Sequence, residues 1–426
     1  MERGHQSGIL CHVTSLPSKK LSEGHRFVDW LREHRFSFWQ MLPLTPPDKY
    51  RSPYASPSAF AGWSDLADSE QNFPMEEDAY WLKDWALFCA IKENQGGKPW
   101  YEWPEPLKNR NPEALAEFEN LLEPYILEQQ AFAAEWNALR THANNNNIRM
   151  IGDVPIFIAH DSADVWAHRE LFQLDEDGYP TYIAGVPPDY FSETGQVWET
   201  VLYDWEAHED ENWRWWEERM KRMFRMYDVV RIDHFRGFHS NWAIPYPDEV
   251  ATNGHWQKGP EDKLFDHIMT LVASPDQIIA EDLGIIPEEV IEFRRRHKLR
   301  GMSVLQFGFT EDINTNPHHP SNIQEDQIVY TGTHDNNTAE GWFASASDDE
   351  QNHVRSLSHP QETVSQTLIR LAQSTDSPIS IIPLQDYLGL GEEARMNVPG
   401  QKGKNWSWKF TWKILSAEAS CKELIT

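Results

Sequence analysis

Eight short apolar runs, rich in β-branched and aromatic residues, recur along the chain with helical patterns between them. They are GILCHVTSL (8–16), FWQMLPL (38–44), RMIGDVPIFI (149–158), VVRIDHF (229–235), QIIAEDL (277–283), MSVLQFGF (302–309), QIVYTGTH (327–334) and SPISIIPLQD (377–386). Amphipathic stretches fall at 24–35, 79–93, 112–142, 210–226, 262–273, 287–297 and 362–373. Strands that alternate with helices pair in parallel, and eight such units predict a closed (β/α)8 TIM barrel, an α/β fold, over residues 1–426. The spacing is uneven. Residues 45–148 exceed what a crossover needs and predict a mostly helical insertion. Residues 159–228 predict a second insertion, part helical and part loop, and 144–147 (NNNN) reads as a helix-ending loop.

Charge narrows the partners. The net charge of −29 disfavours nucleic acid and anionic membranes, which such a surface repels. No run approaches the roughly 20 apolar residues that cross a bilayer. The start, MERGHQSGIL, lacks an apolar signal core. Cys11, Cys89 and Cys421 have no zinc spacing and are too few for a disulfide scaffold, so a reducing, cytoplasmic setting is expected. No His/Cys/carboxylate group has metal-ligand spacing and no glycine loop suits phosphate, so no metal and no cofactor are expected. The 20 Trp and 20 Phe suit a sugar cleft, although aromatics ordinarily fill cores.

Three acids end predicted strands: Asp233 ends VVRID, Glu281 ends QIIAE, and Asp335 follows VYTGTH. In a barrel those ends open onto one face, where active sites are built. An isolated strand-end acid is ordinarily a cap or a surface carboxylate. Three in equivalent places, each in a polar cluster, suit retaining glycosidic exchange, with one acid attacking the anomeric carbon and another shuttling the proton. Arg231, two residues before Asp233 on the strand, faces the same side and favours its ionised form. Glu281, after IIA and before Asp282, has apolar and like-charged surroundings that favour its neutral form.

RIDHFRGF (231–238), AEDLG (280–284) and GTHDNNT (332–338) resemble three signature regions of the amylomaltases and plant disproportionating enzymes, glycoside hydrolase family seventy-seven of the α-amylase clan. The resemblance extends to TSLPS (14–18), SPYASPSAFAG (52–62), GDVPIFIAHDSADVWAH (152–168), GVPPDYFSETGQVW (185–198) and PLQDYLGLGEEARMNVPG (383–400), nearly the whole chain. It implies a 4-α-glucanotransferase acting on malto-oligosaccharides, α-1,4-glucan and glucose. Asp233 would be the nucleophile, Glu281 the general acid/base, and Asp335 the residue gripping sugar hydroxyls. Arg231 would orient Asp233, and His334 would bind the same sugar. Asp153, Gln196, Trp198 and Asn397 resemble subsite residues, Tyr190 and Phe191 a loop closing over the glucan, and Tyr54 an aromatic on a loop associated with longer glucan. Trp198 and Phe191 are equally readable as pegs holding a long loop, Arg395 as an ion-pair anchor, and His12 as a hydrogen-bonded barrel residue. An α-amylase-like hydrolase uses the same trio; a non-catalytic glucan binder would not need it.

The chain departs from the family pattern at KKLSEGHR (19–26), in a shortened 63–78, at WETVLY (198–203) where the family has WGNPLY, and at Ala55, where an amide is usual. None removes a catalytic acid. These segments border the substrate groove, so weaker acceptor selectivity and altered glucan-length preference are expected.

Overall fold

The computed structural model describes residues 5–68, 79–188, 193–310, 312–401, 403 and 405–417. Its strands, in chain order, are β1 (Gln6–Leu10), β2 (Phe38–Gln40), β3 (Arg149–Pro155), β4 (Ile158–Ala159), β5 (Tyr182–Val186), β6 (Gln196–Val201) and β7 (Val229–Asp233). They continue with β8 (Ser240–Pro245), β9 (His255–Lys258), β10 (Ile278–Ala280), β11 (Gly301–Val304), β12 (Gln327–Tyr330) and β13 (Ile379–Pro383).

Eight strands form one parallel sheet in the order β10-β7-β3-β2-β1-β13-β12-β11, and a parallel bridge from Ile279 to Arg300 spans the seam between its ends. The fold is a TIM barrel. All eight apolar runs supply a barrel strand, because strands covered on both faces need apolar residues at successive positions. The strands are shorter than the runs. Past Leu10 and Val304 the chain turns into single 3-10 turns at Val13–Ser15 and Leu305–Phe307, whose side chains, Phe307 excepted, are buried by packing rather than by pairing. Alternation along the strands divides the core. Ile151, Val229, Ile279, Met302, Ile328 and Ile381 fill the barrel, while Val230 and Ile232 face the helices.

Between β2 and β3 the long helices Ala79–Asn94 and Glu123–Asn145 pack on each other, and the second also packs on Leu21–Glu33. Trp39, Trp100, Trp136, Trp166, Trp215 and Trp216 are buried, so most of the larger aromatic mass is core.

The stretch 159–228 differs from the expectation of helix and loop. Its β5 and β6 join β4, β8 and β9 in a second, antiparallel sheet of order β4-β6-β5-β8-β9. RMIGDVPIFI is accordingly split: pairing with β7 stops at Pro155, and Ile158–Ala159 turns away to pair with β6. These strands alternate weakly and stand among charged residues, so no periodic signal marks them. Among the described residues no helix is long and apolar enough to cross a membrane.

Candidate active site

Register brings the site together. On adjacent parallel strands Asp153 lies opposite Arg231, Pro155 opposite Asp233, and Ile232 opposite Ala280. Arg231 and Asp233, two apart, point the same way, into the barrel mouth. Arg231 donates from Nη1 to Asp153 Oδ2 at 2.6 Å and from Nη2 to Asp233 Oδ1 at 2.8 Å. Its Nε lies 3.4 Å from Met302 Sδ. The Tyr54 hydroxyl donates to Asp153 Oδ2 at 2.7 Å. Burial opposes the charge on Asp153, while Arg231 and the Tyr54 hydroxyl support it. The two carboxylates hold the Arg231 guanidinium well above its ordinary range despite burial.

Glu281 follows β10 directly. Its Oε2 accepts from the His234 N–H at 2.6 Å and its Oε1 from the Leu283 N–H at 2.9 Å. His234 has a left-handed backbone (φ 52), a conformation that costs a non-glycine residue of order 1–3 kcal/mol and here turns its N–H toward Glu281. Loss of water first, and the charge of Asp233 second, push Glu281 up to about 7, against the opposing effect of Arg231. The like charge is therefore Asp233 and not the neighbouring Asp282. Asp282 turns away, paired with Arg294 at 3.0 Å and accepting from the Met302 N–H at 2.8 Å.

The third acid closes the mouth from the opposite side. Asp335 Oδ1 accepts from Asn397 Nδ2 at 2.6 Å and lies 3.4 Å from His334 Nε2. Arg395 donates to the carbonyls of Asp335 (2.7 Å) and Asn397 (2.8 Å), so it anchors backbone and forms no ion pair among the described residues. Tyr54 stacks on His334 at 5.1 Å, with Trp406 tilted against both rings. Tyr54 thus joins Asp153 on one side of the mouth to His334 on the other.

Trp198 meets His234 edge-on at 4.8 Å and donates to Gln196 Oε1 at 3.2 Å, both from β6. Tyr190 and Phe191 lie outside the described residues. His12 is buried and neutral, lowered to about 3, and among the described residues neither ring nitrogen has a hydrogen-bond partner, contrary to expectation. Sequence reasoning missed Trp406 and Met302, since neither belongs to a polar motif; NWSW (405–408) was the sole hint of the first. Among the described residues no group of three or more His, Cys, Asp or Glu is arranged to hold a metal ion.

An acid paired with an arginine beside a carboxyl titrating near neutrality suits exchange at an acetal carbon. Comparison with known proteins agrees. The family model of 4-alpha-glucanotransferases, glycoside hydrolase family 77, matches residues 11–71 and 64–415. A 4-alpha-glucanotransferase of Aquifex aeolicus is 37% identical, covering 98% of each chain. One of Thermus thermophilus is 38% identical over 98% of this chain and 97% of its own. An amylomaltase of Streptococcus agalactiae, solved in complex with acarbose, superposes with a TM-score of 0.92 at 33% identity, covering 99% of this chain and 98% of its own. The chain therefore belongs to the 4-alpha-glucanotransferases of glycoside hydrolase family 77.

Proposed function

We propose that this glucanotransferase moves α-1,4-glucan segments by double displacement, with Asp233 as nucleophile and Glu281 as proton shuttle. The supporting observation is the Arg231 bridge, which fixes the Asp233 carboxyl beside a Glu281 whose proton is held to about 7. In the first step Asp233 forms an ester to the anomeric carbon, the C1–O4 bond breaks, and Glu281 gives its proton to the departing O4. In the second, Glu281 takes the proton of the acceptor's 4-hydroxyl, that oxygen bonds to C1, and the ester breaks to restore Asp233. One α-1,4 bond replaces another, so the balance needs no cofactor.

Asp335, held by Asn397, and His334, held under Tyr54, grip hydroxyls of the sugar being transferred. Asp153 is buried behind the mouth and acts on the same sugar through Arg231 and the Tyr54 hydroxyl, which it holds. Trp198 and Gln196 line the groove from β6. Residues 45–148 and 159–228 are insertions into a single catalytic barrel, the first shortened relative to the family. Donors and acceptors are malto-oligosaccharides and glucose. Unbridged Cys11 and Cys89 support a reducing, cytoplasmic setting.

The test is maltotriose disproportionation by wild type and Asp233→Ala. The variant should lose both longer products and glucose release, by roughly 10^4-fold or more; retained activity would refute the assigned nucleophile.

A further inference from the structure

Most of the large indoles are buried, but Trp256 on β9 is 43% exposed and yet fixed on two sides. It packs edge-to-face with Trp242, its register partner on β8, with ring centroids 5.1 Å apart. One face is covered by the Arg236 guanidinium, 3.9 Å from the ring centroid. The same guanidinium donates from Nη1 to the Ile285 carbonyl at 2.6 Å.

These contacts tie the indole to both catalytic loops. Arg236 lies three residues after Asp233, and Ile285 four after Glu281, beyond the left-handed Gly284 (φ 93). The end of β9 is fastened to the first loop by Gly259 N–H to His239 O (2.7 Å) and Glu261 N–H to Phe238 O (2.9 Å). The two loops meet again where the Phe235 N–H donates to Glu281 O at 3.0 Å. Ile285 itself is 74% exposed beside this strap. A single exposed apolar residue is ordinary. An indole held by a guanidinium and a second indole, and still 43% exposed, is a preformed flat surface. Such a surface suits the C–H face of a pyranose and costs little entropy when occupied.

We propose that the exposed part of the Trp256 indole is an acceptor-side platform for a pyranose of the incoming α-glucan, locked by Arg236 as a positioning residue to the loop that carries Glu281. This rests on Glu281 serving the leaving and arriving oxygens, as set out above. A sugar stacked there is held while the covalent intermediate waits, and so outcompetes water.

The test separates the two half-reactions. The fluoride burst with α-maltosyl fluoride reports formation of the intermediate, and transfer at increasing glucose reports its capture. Trp256→Ala should raise the half-saturating glucose about tenfold and increase the hydrolysed share, with the burst kept. Trp256→Phe should stay within about threefold of wild type. Arg236→Ala should reproduce the alanine effect, and the double variant should be no worse than either, because both remove one platform. Half-saturating glucose unchanged in Trp256→Ala overturns the platform, as does a Phe variant that falls with Ala while the burst is lost. Absence of burst and transfer in wild type would instead bring down the displacement mechanism, and the platform with it.

Discussion

Arg231 Nη2 lies 2.8 Å from Asp233 Oδ1, while Nη1 of the same guanidinium holds Asp153 at 2.6 Å. One planar, permanently charged group therefore fixes two carboxylates on adjacent strands, which an ammonium on a flexible stem cannot reproduce. Arg231→Lys should fold, by circular dichroism, yet lose roughly 10^2-fold or more in kcat/KM for maltotriose, since small misplacement of the attacking atom has that effect. Activity within threefold of wild type would show that charge alone is enough.

Glu281 is raised to about 7 from an ordinary value of 4.5. Between those values the folded protein keeps a proton that the unfolded chain has released, so stability falls as pH rises through the window. Glu281→Gln has no proton to lose there. At pH 8 it should be more stable than wild type by about 1–3 kcal/mol, with the gain fading toward pH 4.5. Melting temperatures across pH 4–9 check this; parallel curves for the two proteins would contradict it. In the wild type, intermediate formation should decline above pH 7 as the proton donor is lost.

Tyr54 contributes a hydroxyl to Asp153 and a ring to His334. Tyr54→Phe removes only the hydrogen bond, worth about 1.5–3 kcal/mol to a charged acceptor. It should lower kcat/KM by about tenfold, because Arg231 still holds Asp153. Tyr54→Ala, which also frees His334, should fall further. Equal losses in the two variants would assign the whole effect to the hydroxyl.

Glu199, Thr200 and Val201, which we propose depart from the family pattern, directly follow Trp198 on β6. Together with a 63–78 segment proposed to be shorter than the family's, they predict poorer shielding of the acceptor from water. Incubation with maltotriose should therefore give a lower ratio of longer oligosaccharides to new reducing ends than the Thermus thermophilus relative gives. A ratio like that relative's would remove the role assigned to these segments.

The barrel was legible because its strands are buried on both faces. Runs such as VVRID and SPISIIP must be apolar throughout, and eight of them with helices between admit few other folds. The acids were legible for a related reason: a polar residue ending an apolar run stands at the rim of the barrel. The antiparallel sheet was not, since its short strands draw their order from one another. In the same way, Asp282 reads as the like charge beside Glu281, whereas the fold turns it toward Arg294 and brings Asp233 across from the neighbouring strand. Sequence distance says little about charges once strands lie side by side. The sequence alone determined the barrel and placed the three acids at its rim. Only the tertiary structure decided that Tyr54 and Asp153 join Arg231, that Asp233 raises Glu281, and that Arg236 straps Trp256 to the loop behind it. Each of these is a contact between segments far apart in the chain, set by register and packing rather than by local pattern.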